Sequence, residues 1–350
     1  MEKNSFLLYG ANGYTGKLIL ELSSYYGLAP VLAGRDEKAI STLAKKFNAS
    51  YLIFDLSETE KLENALKDFT LVLHSAGPFI NTALPMINAC LKTNTHYIDI
   101  TGEIVVFEMA KKFNQEAINS KIMIMPGVGF DVVPTDSIAL YLKNKLPNAT
   151  ELKLAFATLG GGLSHGTATT MANGIGGEGA ERINGKLLRT PIGKKSMSVD
   201  FGLKKIFVIS IPWGDISTAF TTTGIKNIVT YTGSSRKVYF LLKFQKFYNW
   251  VLKLNFIRTI VKNYINKNII GPSKNIRSSS KALVWGEVKN SSGEKFSARL
   301  IGPEGYTLTA HSSLIIAKKI IDGNFKIGYQ TPAGCYGEDL ILEIPEVSRY

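Results

Sequence analysis

Short, unbroken apolar runs alternate with amphipathic helical stretches through the first third of the chain, and this alternation constrains its architecture more than any other feature. Residues 6–9, 30–33, 51–54, 71–74, 97–100 and 121–125 read as strands. Residues 14–26, 36–47, 58–66 and 84–91 read as helices, with Asp36 as an N-cap and Ala39, Ile40, Leu43, Ala44 and Phe47 on one apolar face. Strands apolar on both faces, each followed by a helix, predict a parallel sheet covered on both sides, the doubly wound α/β class. In that class ligands bind beyond the carboxyl ends of the strands.

The first such end carries Gly10-Ala11-Asn12-Gly13-Tyr14-Thr15-Gly16, a GxxGxxG spacing that opens directly into a helix. Glycines there permit a tight turn, let backbone N–H groups approach a pyrophosphate, and allow close packing of the helix on the sheet. A glycine triplet alone often marks only a loop, but between the first strand and first helix of a βαβ unit it predicts dinucleotide binding. Cofactor choice is read at the end of the second strand, where an NAD site places a carboxylate. Here stands Arg35, 19 positions after Gly16 (35 − 16), with a guanidinium suited to a 2′-phosphate. NADP(H) is therefore expected over NAD(H), with Asp36 as a helix cap; the competing reading makes Arg35 an ordinary surface residue. Ala76, Gly77 and Pro78 after the fourth strand, Gly102 after the fifth and Asp55 after the third complete the expected cofactor set of Gly10, Asn12, Gly13, Tyr14, Thr15, Gly16, Arg35, Asp55, Ala76, Gly77, Pro78 and Gly102.

GANGYTG, AGR, AGPF, YIDITGE and PGVGFDVVPTD, in this order, resemble the saccharopine dehydrogenase-like oxidoreductases, a family that includes trans-acting enoyl reductases. The resemblance continues in GPSKNIRSSSKALVWGEV, EGYTLTA and GYQTPAGCYGEDLILEIPEV. It implies an NADP-binding Rossmann domain and a second domain on a mixed sheet that completes an active-site cleft. It does not imply saccharopine as the substrate.

Residues 151–158, 206–211, 282–288 and 297–301 read as strands without intervening helices, suiting a substrate domain. The expected division is 1–130 for the Rossmann domain, 131–302 for an α+β substrate domain with a mixed or antiparallel sheet, and 303–350 for a helix at 307–321 and a strand at 340–344 packing back on the first domain. Gly160-Gly161-Gly162-Leu163-Ser164-His165-Gly166-Thr167 lacks the GK[ST] of a phosphate-binding Walker loop and reads as a mobile loop or a strand-to-helix turn. Reduction of a double bond needs a proton donor, and His165 and Tyr97 are the candidates on position. His74, His96 and His311 have weaker claims. No metal site is expected, because no pair of histidines has ligand spacing and Cys90 and Cys335 stand alone.

The net charge of +13 is unevenly placed. Between Lys226 and Lys281 lie twelve basic residues and no acidic one. Lys243, Lys246, Asn249 and Lys253 fall on one helical face, with Leu241, Phe244, Phe247, Tyr248, Val251 and Leu254 on the other; Arg258, Lys262 and Asn266 repeat the pattern, which predicts a pair of basic amphipathic helices over 238–266. One reading makes them a cover for the substrate sheet; the other makes them a dock for an anionic membrane surface or an acyl carrier. The remainder is nearly neutral and no nucleic-acid motif is present, so nucleic acid is not an expected partner. A small-molecule or acyl-linked substrate is expected, with homo-oligomerisation open. Two cysteines and the absence of a long apolar stretch predict a cytoplasmic protein, with peripheral membrane attachment open. Two function classes remain: an NADP-dependent oxidoreductase reducing a C=C, C=N or C=O bond of a lipid-like or acyl-linked substrate, and a non-catalytic NADP(H)-binding redox sensor.

Overall fold

The computed structural model describes residues 5–174, 176–252 and 254–350. Lys253, and the side chains of Arg258, Lys262 and Asn266, named above for the basic helices, lie outside the described residues. The chain forms two compact units, 1–133 with 306–335, and 134–305 with 336–350.

In chain order the first unit opens with β1 (Ser5–Tyr9), α1 (Tyr14–Ser23), β2 (Ala29–Gly34), α2 (Glu37–Phe47), β3 (Tyr51–Ile53), α3 (Thr59–Leu66), β4 (Leu71–His74), α4 (Phe79–Thr93), β5 (His96–Asp99), α5 (Ile104–Ala110), α6 (Asn114–Asn119) and β6 (Met123–Met125). A helix α7 (Val133–Lys145) leads into the second unit. There follow β7 (Ala149–Leu159), α8 (His165–Asn173), β8 (Gly179–Ile183), β9 (Lys186–Thr190), β10 (Ser196–Asp200), β11 (Lys205–Ile211), α9 (Asp215–Thr223) and β12 (Asn227–Gly233). Next come α10 (Arg236–Lys243), α11 (Gln245–Leu252), α12 (Asn255–Asn268), α13 (Lys274–Ser279), β13 (Lys281–Asn290) and β14 (Lys295–Pro303). The chain then re-enters the first unit with α14 (Gly305–Ile321), β15 (Gly328–Tyr329) and α15 (Pro332–Tyr336), and ends in β16 (Ser348–Arg349) of the second.

The first sheet is parallel throughout, in the order β15-β6-β5-β4-β1-β2-β3. Order reverses between β1 and β4, which creates the crevice of a doubly wound sheet there. Its strands are unbroken apolar runs because both faces are covered: Phe6, Leu7, Leu8, Leu71, Val72 and Leu73 have no solvent exposure. Helix α14 joins this unit through Ser312, whose Oγ donates to the Val128 carbonyl at 2.6 Å, and Thr309, whose Oγ1 accepts from the Phe130 N–H at 2.9 Å.

The second sheet is mixed, in the order β10-β11-β12-β7-β13-β14-β16, with the β8–β9 hairpin joined to β12. β7 and β12 are parallel, so the expected run of strands without helices is corrected: α8 and α9 lie between them in the chain, and a parallel pair requires such a crossover. The stretch 340–344 is not a strand either. Residues Leu340–Glu343 form one 3-10 turn that buries Leu340 and Ile341, and residues 336–350 group with the second unit rather than the first.

The basic segment also departs from its expected pairing. Three helices, α10 to α12, replace two, because α10 ends at Lys243 and α11 starts at Gln245. The inward side is held by the Gln245 side chain, which donates to the carbonyls of Ile192 and Leu242, and by Ile265, packed with Ala168 and Ala172 of α8. Of the apolar face, Leu241, Phe244 and Phe247 are exposed rather than covered.

Candidate functional site

The turn after β1 is shaped by contacts among its own glycines. Gly10 has φ +84°, and a Cβ there would lie 2.8 Å from Cβ and N of Ala76 in the turn after β4. A Cβ on Gly16 would lie 2.5 Å from the Gly10 carbonyl oxygen. Both glycines are buried, while Gly13 between them is exposed and its Cβ would meet only that same carbonyl, at 3.2 Å. Gly10 N–H donates to the Ala33 carbonyl at 2.8 Å, which ties the turn to the end of β2. Gly10 and Gly16 thus serve the fold, and Gly13 keeps the outer surface of the turn clear.

Gly13 is also the N-cap of α1, and no side chain caps this helix among the described residues. Its first-turn N–H groups, those of Tyr14, Thr15 and Gly16, carry the partial positive charge of a helix start. The contrast with the two neighbouring helices is informative. At α2, Asp36 Oδ1 accepts from Ala39 N–H at 3.0 Å, so Asp36 is the cap expected from the sequence. At α4, the Glu103 carboxylate accepts from the N–H groups of Phe79 at 2.9 Å and Ile80 at 3.1 Å. The protein places its own carboxylates at the starts of α2 and α4, whereas no side-chain cap is found at α1 among the described residues. Around α1 the Tyr14 ring packs edge-on against Tyr306, with centroids 4.9 Å apart.

Arg35 is exposed at the end of β2, and Asn12 lies close enough that a Cβ on Gly34 would approach its Oδ1 to 3.5 Å. Asp55 sits across the same edge: burial first, then Asp55, push the Tyr9 phenol up to about 12, and Arg35 opposes them. The Asp55 carboxyl is lowered mainly by Ser57, whose N–H and Oγ donate to Oδ1 at 2.9 and 2.8 Å, so one of its oxygens is occupied by a turn. A cavity of about 560 Å³ runs from Asn12 past Asp36 and Lys38 between α1 and α2, and Lys38 is a further cation at this end that the sequence reading missed. Its only signal was a basic side chain three residues after Arg35.

Ala76, Gly77 and Pro78 form the turn after β4, anchored by Thr82 Oγ1 donating to the Ala76 carbonyl at 2.8 Å and by Ser75 Oγ donating to Tyr9 at 2.9 Å. Gly77 is exposed beside them. Gly102 has a different duty: a Cβ there would stand 2.5 Å from Asp131 Oδ2. Its role is to admit that carboxyl.

Asp131 was not among the expected acids. Burial pushes its carboxyl up to about 7, with the Glu103 charge adding to the rise, although it keeps partial access to solvent. Glu103 is itself raised by burial against the two N–H bonds it accepts. Behind them Asp99 is fully buried, accepts from Thr101 N–H and Gly127 N–H at 2.9 Å each, and is raised by burial to about 6. Tyr97 is corrected as a proton donor: it has no exposure, its hydroxyl donates to Asp99 Oδ2 at 2.6 Å, and burial followed by Asp99 holds the phenol well above its usual range. It braces Asp99.

His165 is exposed as the first residue of α8, behind the Ser164 N-cap, and the glycine run before it is a strand-to-helix turn. It belongs to the second unit and Tyr97 to the first. The other histidines are structural. His74 is fully buried, its Nε2 lies 3.0 Å from Thr82 Oγ1, and burial lowers it to about 3. His96 Nδ1 accepts from Met123 N–H at 2.9 Å, and His311 Nδ1 lies 2.6 Å from the Tyr26 hydroxyl. No group of residues able to hold a metal ion occurs among the described residues.

Residues 6–125 match the sequence model of the saccharopine dehydrogenase NADP binding domain. A saccharopine dehydrogenase-like oxidoreductase of Rattus norvegicus is 28% identical over 201 residues, 50% of this chain and 47% of that protein. A trans-acting enoyl reductase of Mycobacterium bovis is 30% identical over 138 residues, 37% of this chain and 33% of that protein. The chain thus aligns with less than half the length of these relatives. Apo saccharopine dehydrogenase (L-Glu forming) from Saccharomyces cerevisiae superposes over 99% of both chains with a TM-score of 0.70 at 11% identity, which establishes a shared fold. Residues 6–125, with their glycine turn and parallel sheet, thus resemble the saccharopine dehydrogenase NADP-binding domain, and the chain resembles the saccharopine dehydrogenase-like oxidoreductases.

Proposed function

We propose that the chain is an NADPH-dependent reductase of a lipid-like or acyl-linked substrate, with Asp131 as the proton source. The observation that carries this reading is the division of labour along the strand ends. Cations Arg35 and Lys38 gather beyond β2, on the half of the sheet that takes adenosine in doubly wound folds, and the protonatable pair Asp131 and Glu103 lies beyond β5 and β6, on the nicotinamide half. The helix start of α1 and Gly13 fit the pyrophosphate, Arg35 fits the 2′-phosphate, and Ala76, Gly77 and Pro78 fit the intervening ribose. NADPH supplies a hydride; the residues named do the rest. A carboxyl with a pKa of about 7 is about half protonated at neutral pH and acidic enough to release its proton, the balance that general acid catalysis requires. Glu103, held on the α4 N-terminus, adds to the burial that favours the protonated form of Asp131. The choice of an acyl-linked C=C bond over C=N or C=O follows the mycobacterial relative's name.

The test is NADPH oxidation with a trans-2-enoyl thioester of coenzyme A. Turnover is expected to fall as pH rises through about 7, where Asp131 loses its proton. Asp131→Asn is expected to lower kcat at least about a hundredfold with NADPH affinity unchanged. A variant that turns over normally removes Asp131 from the chemistry. Tight NADPH binding with no reduction of enoyl, imine or carbonyl substrates favours the redox-sensor reading instead.

A further inference from the structure

Helices α10 to α12 present an apolar surface that nothing in the second unit covers. Phe240, Phe244, Phe247 and Trp250 follow one another at intervals of four, three and three residues and are 64%, 48%, 77% and 66% exposed. Phe256, Ile260 and Tyr264 form a second row at intervals of four on α12, at 58%, 60% and 63%. These are not frayed residues at a chain end. Gln245 is buried between the two carbonyls it bonds, and Ile265 is packed on α8, so the inner sides of the helices are fixed while the outer sides carry large apolar groups. Leaving seven such side chains in water forgoes their burial, and an apolar patch of this kind on a folded unit marks an interaction surface.

The charge around it selects the occupant. The segment from Lys226 to Lys281 has twelve cations and no anion, and Lys237 and Lys246 are exposed beside the aromatic row. A second copy of this chain, docked through a two-fold axis, would set this cationic patch against itself. An anionic surface relieves the repulsion. Rings and aliphatic groups spread over three successive helices, edged by lysines, suit insertion to headgroup depth in a lipid leaflet rather than the single groove a helix of a carrier protein would need. No described helix is long and apolar enough to cross a membrane, so contact would be from one side.

We infer that α10 to α12 dock the protein on an anionic phospholipid surface, with the row Phe240, Phe244, Phe247 and Trp250 entering the leaflet and Lys237 and Lys246 meeting its headgroups. This inference is independent of the catalytic reading and stands or falls without it. The experiment is co-sedimentation of the full chain with large unilamellar vesicles of phosphatidylcholine alone or mixed with phosphatidylglycerol, at low and high salt. Expected are binding to the anionic vesicles only, at least about tenfold weakening of it in Lys237→Gln/Lys246→Gln and by added salt, and a shift of tryptophan emission to shorter wavelength that Trp250→Phe abolishes. Phe247→Ser/Trp250→Ser is expected to lose vesicle binding while keeping the parent's circular dichroism spectrum and denaturation midpoint, which verifies its fold. Equal binding by these variants, absence of binding to anionic vesicles, or capture only by an acidic acyl carrier or by self-association would overturn the inference.

Discussion

Gly10, Gly13 and Gly16 share one motif but answer different constraints, and substitutions should separate them. A methyl group on Gly16 meets a backbone oxygen at 2.5 Å, so Gly16→Ala should destabilise the fold by about 1–3 kcal/mol, seen as a lowered denaturation midpoint. Gly13→Val should leave that midpoint much nearer the original and still abolish NADPH binding, because its side chain would stand over the N–H groups of α1. Retention of normal NADPH affinity by Gly13→Val would reduce the motif to a loop. At the other end of the cofactor, Arg35→Ala should weaken NADPH binding about tenfold and leave NADH binding unaltered, as titration of the two cofactors would register. Asp131 offers a separate test through linkage. Its folded pKa of about 7 exceeds the ordinary carboxyl value of 3.8, so the unfolded chain releases this proton first as pH rises. The stability associated with the neutral form is therefore complete below about pH 4 and lost by about pH 7. Asp131→Asn, which cannot ionise, should match the parent at pH 4 and exceed it in stability above pH 7; His74 and His96, both lowered by burial, act in the opposite sense on both proteins and cancel in the comparison.

Among the elements, helix starts decide what each strand end can bind. Glu103 holds the first turn of α4 through two N–H groups, and Glu103→Ala should cost about 1–2 kcal/mol in unfolding free energy, the scale of a lost cap. Asp36 was legible as a cap from sequence because its partner, Ala39, is three residues away. Glu103 was not, since its partners lie 24 and 23 residues earlier and meet it only when β4 and β5 pair. The same distinction runs through the rest. Strands apolar on both faces and a glycine turn are local patterns, and β1 to β6 and the turn after β1 follow them closely. The duty of Tyr97 was illegible because a phenol near a strand end looks available until the sheet buries it against Asp99. Asp131 escaped notice because its raised pKa comes from enclosure by Gly102 and Glu103, three-dimensional neighbours with no spacing rule. Residues 340–344 are apolar enough for a strand, yet Pro345 follows and a single 3-10 turn forms instead, burying Leu340 and Ile341.

At the scale of the whole molecule the chain visits each unit twice. Residues 306–335 return to the first unit, adding β15 to its sheet edge, and 336–350 return to the second, where Ser348 and Arg349 pair with Ile301 and Leu300 and Arg349 lies over the Tyr141 ring at 4.0 Å. Deleting residues 336–350 should therefore lower the stability of the second unit while the first still binds NADPH. The central claim concerns that first unit: its glycine turn and Arg35 bind a phosphorylated dinucleotide. The most direct measurement is calorimetric titration of the intact protein with NADPH and with NADH under identical conditions. The account predicts saturable binding of NADPH with a Kd at least about tenfold below that for NADH, a difference of roughly 1.4 kcal/mol. Equal affinities, or no binding of either cofactor by a folded protein, would contradict it.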